Sequence, residues 1–210
     1  MRLRHVKGAA EKIRNHPELI VSLKRDESVR LNDVFKHKRP LHVEIGSGKG
    51  RFIHTLATKH PDINFIAIEK FDSAIVKLLD KQRLAPLDNL FLVRMDAEQI
   101  SACFEPKSIA CIYLNFSDPW PKARHEKRRL THPDFLSHYK ALLTAHGTIA
   151  LKTDNRKFFE YSLLSMLETN MTIHELSLDL HNDPDMDNIR TEFEEKYGKH
   201  GPIYKLISTF

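Results

Sequence analysis

The stretch "LHVEIGSGKGRFI", residues 41–53, is where the fold can first be read. Mostly apolar Leu41 to Ile45 are followed by glycines at every second position, and then by an apolar pattern at helical spacing. That succession spells a buried strand, a tight turn and a helix. Gly46, Gly48 and Gly50 let the backbone turn sharply and approach a ligand with no Cβ in the way. The spacing is GxGxG. A dinucleotide fingerprint would be GxGxxG, and Arg51 stands where its third glycine would fall. Taken alone, the loop suits a plain strand-to-helix turn equally well.

The same alternation continues outward. "NFIAIE" (64–69), "LFLVRM" (90–95), "IACIYLNF" (109–116) and "GTIALKT" (147–153) are short, apolar and partly β-branched. Between them, segments 50–60, 72–85, 133–146 and 156–169 carry apolar residues three and four apart, as amphipathic helices do. In the second of these, Ala74, Ile75, Leu78 and Leu79 share a face that is expected to end at polar Gln82. Strands apolar on both faces belong to parallel sheets covered by helices. Two further strands, "MTIHELSL" (171–178) and "YKLISTF" (204–210), close the chain. The expectation is an α/β protein with a doubly wound, mostly parallel seven-stranded sheet. It forms one domain over 41–210, after a basic N-terminal segment 1–40.

Of 210 residues, 41% are hydrophobic and 29% charged, as in an ordinary globular chain, and the net charge is +5. The cations are unevenly spread. Eleven Lys and Arg against five acids lie in the first forty residues, whereas 175–195 is acidic with Arg190 its only cation. That asymmetry suits a partner with a polyanionic face. The acidic stretch around Pro184 is too long for a tight hairpin, and its composition suggests mobility. Cys103 and Cys111 sit in or beside apolar segments and read as buried thiols of a reducing compartment, the cytoplasm. No metal site is expected, because the thirteen histidines lack ligand spacing. No apolar run is long enough to span a membrane.

Acids recur at the ends of successive strands. Glu44 lies within the first, and Glu69, Asp96, Asp118 and Asp154 close the next four. In an open α/β sheet the ligand crevice lies beyond the carboxyl ends of the strands. Each acid alone can also be a helix N-cap. A carboxylate about twenty residues past the glycines can accept from ribose hydroxyls. So many carboxylates disfavour a phosphate-rich dinucleotide. They suit S-adenosylmethionine, which has ribose hydroxyls, amines and a positive sulfur, with Glu69 at the ribose and Asp96 at the adenine amine.

The segment "NFSDPWPKARHEKRRL" (115–130) puts Asp118, two prolines and the only tryptophan before Lys122, Arg124, His125, Lys127, Arg128 and Arg129. Pro119 and Pro121 stiffen the loop and fix the directions of Asp118 and Lys122. The cations are too dense to be neutralised by Glu126 alone and read as a phosphate track. Trp120 serves either as a base-stacking platform or as loop packing. "TEFEEK" from Thr191 has the capping-box pattern of a helix start, with Glu194 three residues on.

Together, "EIGSGKG", "NFSDPWPKARHEKRRL", "LKTDNR" and "TEFEEKYGKHGPIYKL" resemble the bacterial tRNA (guanine-N7-)-methyltransferases over essentially the whole chain. The Ser-Asp-Pro-Trp-Pro-Lys loop with its cations is the specific part. The glycine loop is common to class I methyltransferases, which share a Rossmann-like fold. The resemblance implies S-adenosylmethionine at Glu44, Gly46, Gly48, Glu69, Asp96 and Asp118, with Asp118 catalytic. It also implies nucleotide contacts from Lys122, Asp154, Thr191 and Glu194, and RNA contacts from Arg124, His125, Lys127, Arg128 and Arg129. The target would be the variable-loop guanine at tRNA position 46, and the enzyme a monomer or homodimer. Phe193 departs from the tyrosine expected there, and Val6-Lys7-Gly8-Ala9 from the Lys-Pro-Trp order of relatives. A nicotinamide dehydrogenase, a non-catalytic RNA-binding protein and a small-molecule methyltransferase remain as rivals. The first fits the glycine spacing and crowded acids poorly, and the last leaves the cations without a task.

Overall fold

The computed structural model describes residues 5–24, 27 and 30–210, so Arg2, Arg4 and Arg25 of the basic segment lie outside the described residues. The chain divides into two compact units, Met1–Glu105 and Pro106–Phe210.

The first unit runs α1 (Ala9–Arg14), β1 (Ile20–Ser22), β2 (Leu41–Ile45), α2 (Arg51–Lys59), β3 (Asn64–Glu69), α3 (Asp72–Leu84), β4 (Leu90–Arg94) and α4 (Ile100–Cys103). Its strands are parallel in the order β1-β4-β3-β2. All six residues of β3 are buried, as a strand flanked on both edges and covered on both faces requires. The register sets Ile45 beside Ile68 and Glu69 beside Arg94. The ends of β2, β3 and β4 therefore open at one edge, and the glycine loop, Glu69 and Asp96 follow them there.

In α3 the buried face does not stop at Gln82, which is 1% exposed. Its amide nitrogen donates to the carbonyls of Leu87 (2.7 Å) and Leu90 (2.9 Å), and its oxygen accepts from Leu87 N–H (3.3 Å). A buried amide costs little once its donors and acceptor are matched, so glutamine here extends the apolar face.

The second unit runs β5 (Ile109–Asn115), a 3-10 turn Ala123–Arg128, α5 (Pro133–Leu142), β6 (Leu143–Thr153), α6 (Arg156–Glu168), β7 (Thr172–Ser177), α7 (Glu192–Tyr197) and β8 (Tyr204–Thr209). The order is β5-β6-β8-β7, with β5 and β6 parallel and the remaining pairs antiparallel. Pro133 at the helix start and His132 accepting from Asp134 N–H open α5. Asn155 caps α6 by accepting from Phe158 N–H at 2.9 Å.

The α/β class and the mostly parallel strands stand, but the described residues form eight strands where seven were expected. The eighth is β1. Three residues are too few to show any periodicity in sequence. Their pairing comes from tertiary contact, with Ile20 opposite Leu92 and 2% exposed. Part of segment 1–40 is thus built into the first unit's sheet.

Candidate active site

In the first unit, Gly46, Gly48 and Gly50 have φ of 81°, 58° and 76°, the left-handed region that side chains resist. A Cβ built on Gly46 or Gly48 meets nothing within 4 Å, so open space lies above the loop. One on Gly50 would run into the side chain of Leu78. Gly50 is therefore a packing glycine, whereas Gly46 and Gly48 face open space. Glu44 is buried in β2.

Glu69 ties the loop to the next helix. Its Oε2 accepts from Gly48 N–H (2.9 Å) and its Oε1 from Phe71 N–H (2.9 Å). Burial pushes its carboxyl pKa up, against the pull of backbone donors at Phe71, Gly48 and Lys70. A carboxylate has about four acceptor sites, so beside these three donors capacity remains for a ribose hydroxyl. Asp96 is exposed and caps a short 3-10 turn, accepting from Glu98 N–H at 3.2 Å, with Lys70 Nζ 3.9 Å away. Cap and ligand group can coexist here, because the cap uses one acceptor site. A separate pocket of about 410 Å³ is lined by His5, Val6, Lys70, Phe71, Ser73 and Arg94 and includes none of these acids.

In the second unit, Asp118 is exposed three residues beyond β5, and Lys122 is exposed in the same loop. The loop departs from β5 beside the end of β6, where Phe116 N–H donates to the Lys152 carbonyl at 2.8 Å. Asp154, just past β6, is exposed, and Asn155 takes the cap of α6 in its place.

Arg124, Lys127 and Arg128 are exposed and His125 half-buried. Trp120 packs into this run, with its ring 5.0 Å from the Arg128 guanidinium and edge-on to His125 at 5.6 Å. Of its two expected roles, loop packing is the one the geometry displays. Arg129 turns the other way and donates to the carbonyls of Pro119 and Trp120.

Thr191 and Glu194 form the anticipated capping box on α7, the Glu194 N–H donating to Thr191 Oγ1 at 3.0 Å. Glu194 is only 1% exposed. Its Oε2 accepts from Lys152 Nζ (3.0 Å) and Thr191 N–H (3.3 Å), while Oε1 meets His181 Nε2 (2.8 Å) and the Asn188 amide. Lys152 Nζ also donates to Asn188 Oδ1 (3.0 Å) and the Ile189 carbonyl (2.9 Å). Burial opposes ionisation of Glu194, but the Lys152 charge and hydrogen bonds from Asn188, His181 and Lys152 hold its pKa below the ordinary value. With both oxygens engaged in this way, Glu194 shapes the 181–191 segment from inside. Lys152, His181 and Asn188 were not anticipated. A lysine inside the apolar strand "IALKT" was the only hint, since a buried lysine needs a counter-charge. The Phe193 ring lies tilted between Phe116 and Tyr197, its centroid 4.9 Å from each.

A family model described as "Putative methyltransferase" matches residues 38–206. A tRNA (guanine-N(7)-)-methyltransferase of Listeria welshimeri is 48% identical over 211 residues, covering 100% of this chain and 99% of its own. Its counterpart in Lactiplantibacillus plantarum is 48% identical over 212 residues, with the same coverage. The chain belongs to the tRNA (guanine-N(7)-)-methyltransferase family. Among solved structures, an antibiotic-related methyltransferase superposes with a TM-score of 0.59 at 18% identity, over 90% of this chain and 94% of that one. At that identity the likeness is one of fold. The family's sequences match along the whole chain, so the glycine loop and the Asp118 loop both fall within the shared region.

Proposed function

We propose that this tRNA (guanine-N7-)-methyltransferase transfers a methyl group from S-adenosylmethionine to N7 of the variable-loop guanine at tRNA position 46. The observation that carries this reading is the Asp118 loop. There an exposed carboxylate follows the end of β5, and exposed Lys122, Arg124, Lys127 and Arg128 come directly after it. Relatives 48% identical over the full chain are tRNA (guanine-N(7)-)-methyltransferases, which supports the same chemistry.

The first unit's residues fit the cofactor. The glycine loop leaves open space, Glu69 has acceptor capacity for ribose hydroxyls, and Asp96 is an exposed acceptor for an amine. Glu44, buried in β2 two residues before the loop, is the remaining carboxyl placed for the cofactor. When bound, S-adenosylmethionine supplies an electrophilic methyl group on a sulfonium.

Guanine N7 carries a lone pair and no proton, so the displacement needs no general base. What the protein supplies is alignment and electrostatics. Asp118 acts here as an orienting and charge-stabilising residue. The product guanine gains positive charge, and a nearby carboxylate lowers the energy of that developing charge. Lys122 and Asp154 are exposed groups suited to grip the nucleotide, Asp154 by accepting from the base's N–H donors. Thr191 and Glu194 contribute by fixing the start of α7. Arg124, His125, Lys127 and Arg128 receive phosphates, with affinity falling as salt rises. Such an enzyme works where its tRNA is, in the cytoplasm.

Labelled methyl transfer to a tRNA transcript, beside one carrying 7-deazaguanine in the variable loop, tests the reading. Label in the normal transcript alone is the expected result. Equal labelling of both would move the target atom elsewhere, and labelling of neither would leave only a binding protein.

A further inference from the structure

The last cation of the 124–129 run does not behave like its neighbours. The Arg129 side chain is 14% exposed. Its Nε donates to the Pro119 carbonyl (3.2 Å) and, more weakly, to that of Trp120 (3.4 Å), and a second guanidinium nitrogen reaches Trp120 O at 3.2 Å. The guanidinium lies over the Tyr161 ring of α6 with its carbon 4.1 Å from the ring centre, and Glu126 Oε1 is 3.9 Å away. Two carbonyls, an aromatic face and a carboxylate thus use most of what a planar guanidinium can offer.

The carbonyls it holds belong to the two residues directly after Asp118. The backbone there is also unusual, with Phe116 at φ 52° and Trp120 at φ 41°. Bulky aromatic residues avoid that region, at a cost of about 1–3 kcal/mol each, and persist there only where surrounding contacts over-determine the conformation. The Arg129 fork holds the Trp120 backbone, while Arg128 and His125 pack on its ring. A phosphate would compete for the same donors, so this arginine cannot both clamp the loop and neutralise RNA with the same nitrogens.

We propose that Arg129 is a positioning residue for Asp118, clamping the Pro119 and Trp120 carbonyls against α6 so that the catalytic loop keeps its direction, and that it is not part of the phosphate track. The inference rests on the tRNA-methylating reading above. It separates two kinds of cation in one short run: Arg124, Lys127 and Arg128 set affinity for tRNA, while Arg129 sets the rate once tRNA is bound.

The test compares R129Q, R129K and R128Q by single-turnover methyl transfer at saturating tRNA, by tRNA affinity and by melting temperature. For R129Q the saturated rate is expected to fall by about 10²-fold, as for an ångström-scale misplacement, with tRNA affinity within about twofold of wild type. R129K should lie between, since one ammonium can reach a carbonyl but cannot span both. R128Q should weaken tRNA binding, which R129Q should not. Trp120 is the only tryptophan, so its fluorescence reports this loop alone. Quenching by acrylamide should rise in R129Q even without tRNA. Should R129Q fail to fold, Y161L removes the platform under the guanidinium and should reproduce the rate-only loss and the greater quenching. The inference is overturned if R129Q or Y161L keeps the wild-type saturated rate, or if R129Q weakens binding as R128Q does. Wild-type enzyme that labels no tRNA would overturn the functional reading and this inference with it. An active wild type with an unaffected R129Q would overturn the inference alone.

Discussion

The two units hold their candidate residues by different means. In the first, the backbone does it: three glycines in the left-handed region shape the loop, and Glu69 is fixed by N–H groups of Gly48 and Phe71. In the second, long buried side chains do it. Arg129 holds the Asp118 loop, and Lys152 with Glu194 holds the segment leading into α7. A backbone cradle depends on what glycine alone can adopt and is indifferent to most side-chain changes nearby. A side-chain brace gives way when a single cation is cut, and its loss leaves a buried charge or carbonyl without a partner.

Asp118→Asn breaks the comparison at its functional centre. Asp118 is exposed and braces nothing, so the fold should be unaffected, while methyl transfer falls by about 10²–10³-fold, the scale for losing one charge-stabilising group. Rates at saturating tRNA with a matched melting curve check this. A fall of less than about fivefold would assign the charge stabilisation elsewhere.

Lys152→Met strikes the side-chain brace directly. Both partners of the Lys152–Glu194 pair are nearly inaccessible, with side chains 7% and 0% exposed. Removing one leaves an uncompensated buried charge at about 3–5 kcal/mol, readable in urea unfolding. The double variant K152M/E194Q should recover much of that loss, because the orphaned charge is gone. The pair also has a pH signature. The folded pKa of Glu194 lies below its ordinary value of 4.5. Its ionised form therefore stabilises the fold above pH 4.5, and that contribution disappears as pH falls through the folded value. E194Q should flatten the stability curve in this acid window and leave its shape unchanged near neutrality.

The contrast between the units explains what could be read from sequence. Seven strands were visible because each is a run of apolar residues long enough to declare itself, β3 most of all. β1 was not, because three residues carry no period. Gln82 looked like the end of a helix face because polarity alone cannot show that two carbonyls wait for its amide. The turn at the glycine loop and the place of Glu69 at the end of β3 were legible, since both reside in local backbone geometry. The division within the cationic run was not. Arg128 and Arg129 are adjacent and chemically identical in sequence, and only the contacts of Arg129 with the Pro119 and Trp120 carbonyls and the Tyr161 ring of α6 tell them apart. The engagement of Glu194 was not legible either, because Lys152 lies 42 residues away and the irregular stretch that carries His181 and Asn188 shows no period.

The glycines sharpen the comparison on the backbone side. Gly50→Ala must both adopt φ 76° and displace Leu78, so it should destabilise the protein by about 1–3 kcal/mol, as overpacking does. Gly46→Ala meets no atom within 4 Å and should cost only the conformational strain, about 1–2 kcal/mol. Cofactor affinity should order them differently, with Gly46→Ala the more damaging because its methyl group enters the open space. Calorimetric titration with S-adenosylmethionine beside thermal melts separates the two effects. Equal affinity losses would mean that the cofactor does not lie in the open space beside Gly46.

The smallest expected effect falls on the exposed cations. Arg128 is exposed and leans on Trp120 at 5.0 Å, a contact worth about 0.5–1 kcal/mol at such a site. Arg128→Gln should therefore barely change stability. It should lower the slope of log affinity for tRNA against log salt by about one, the amount expected for one lost phosphate contact. Arg124→Gln should do the same, and the two should add, because each cation meets its own phosphate in an exposed, well-screened setting. If neither slope changes while the saturated rate falls, the exposed cations are braces as well. The second unit would then present no phosphate-binding surface in this turn.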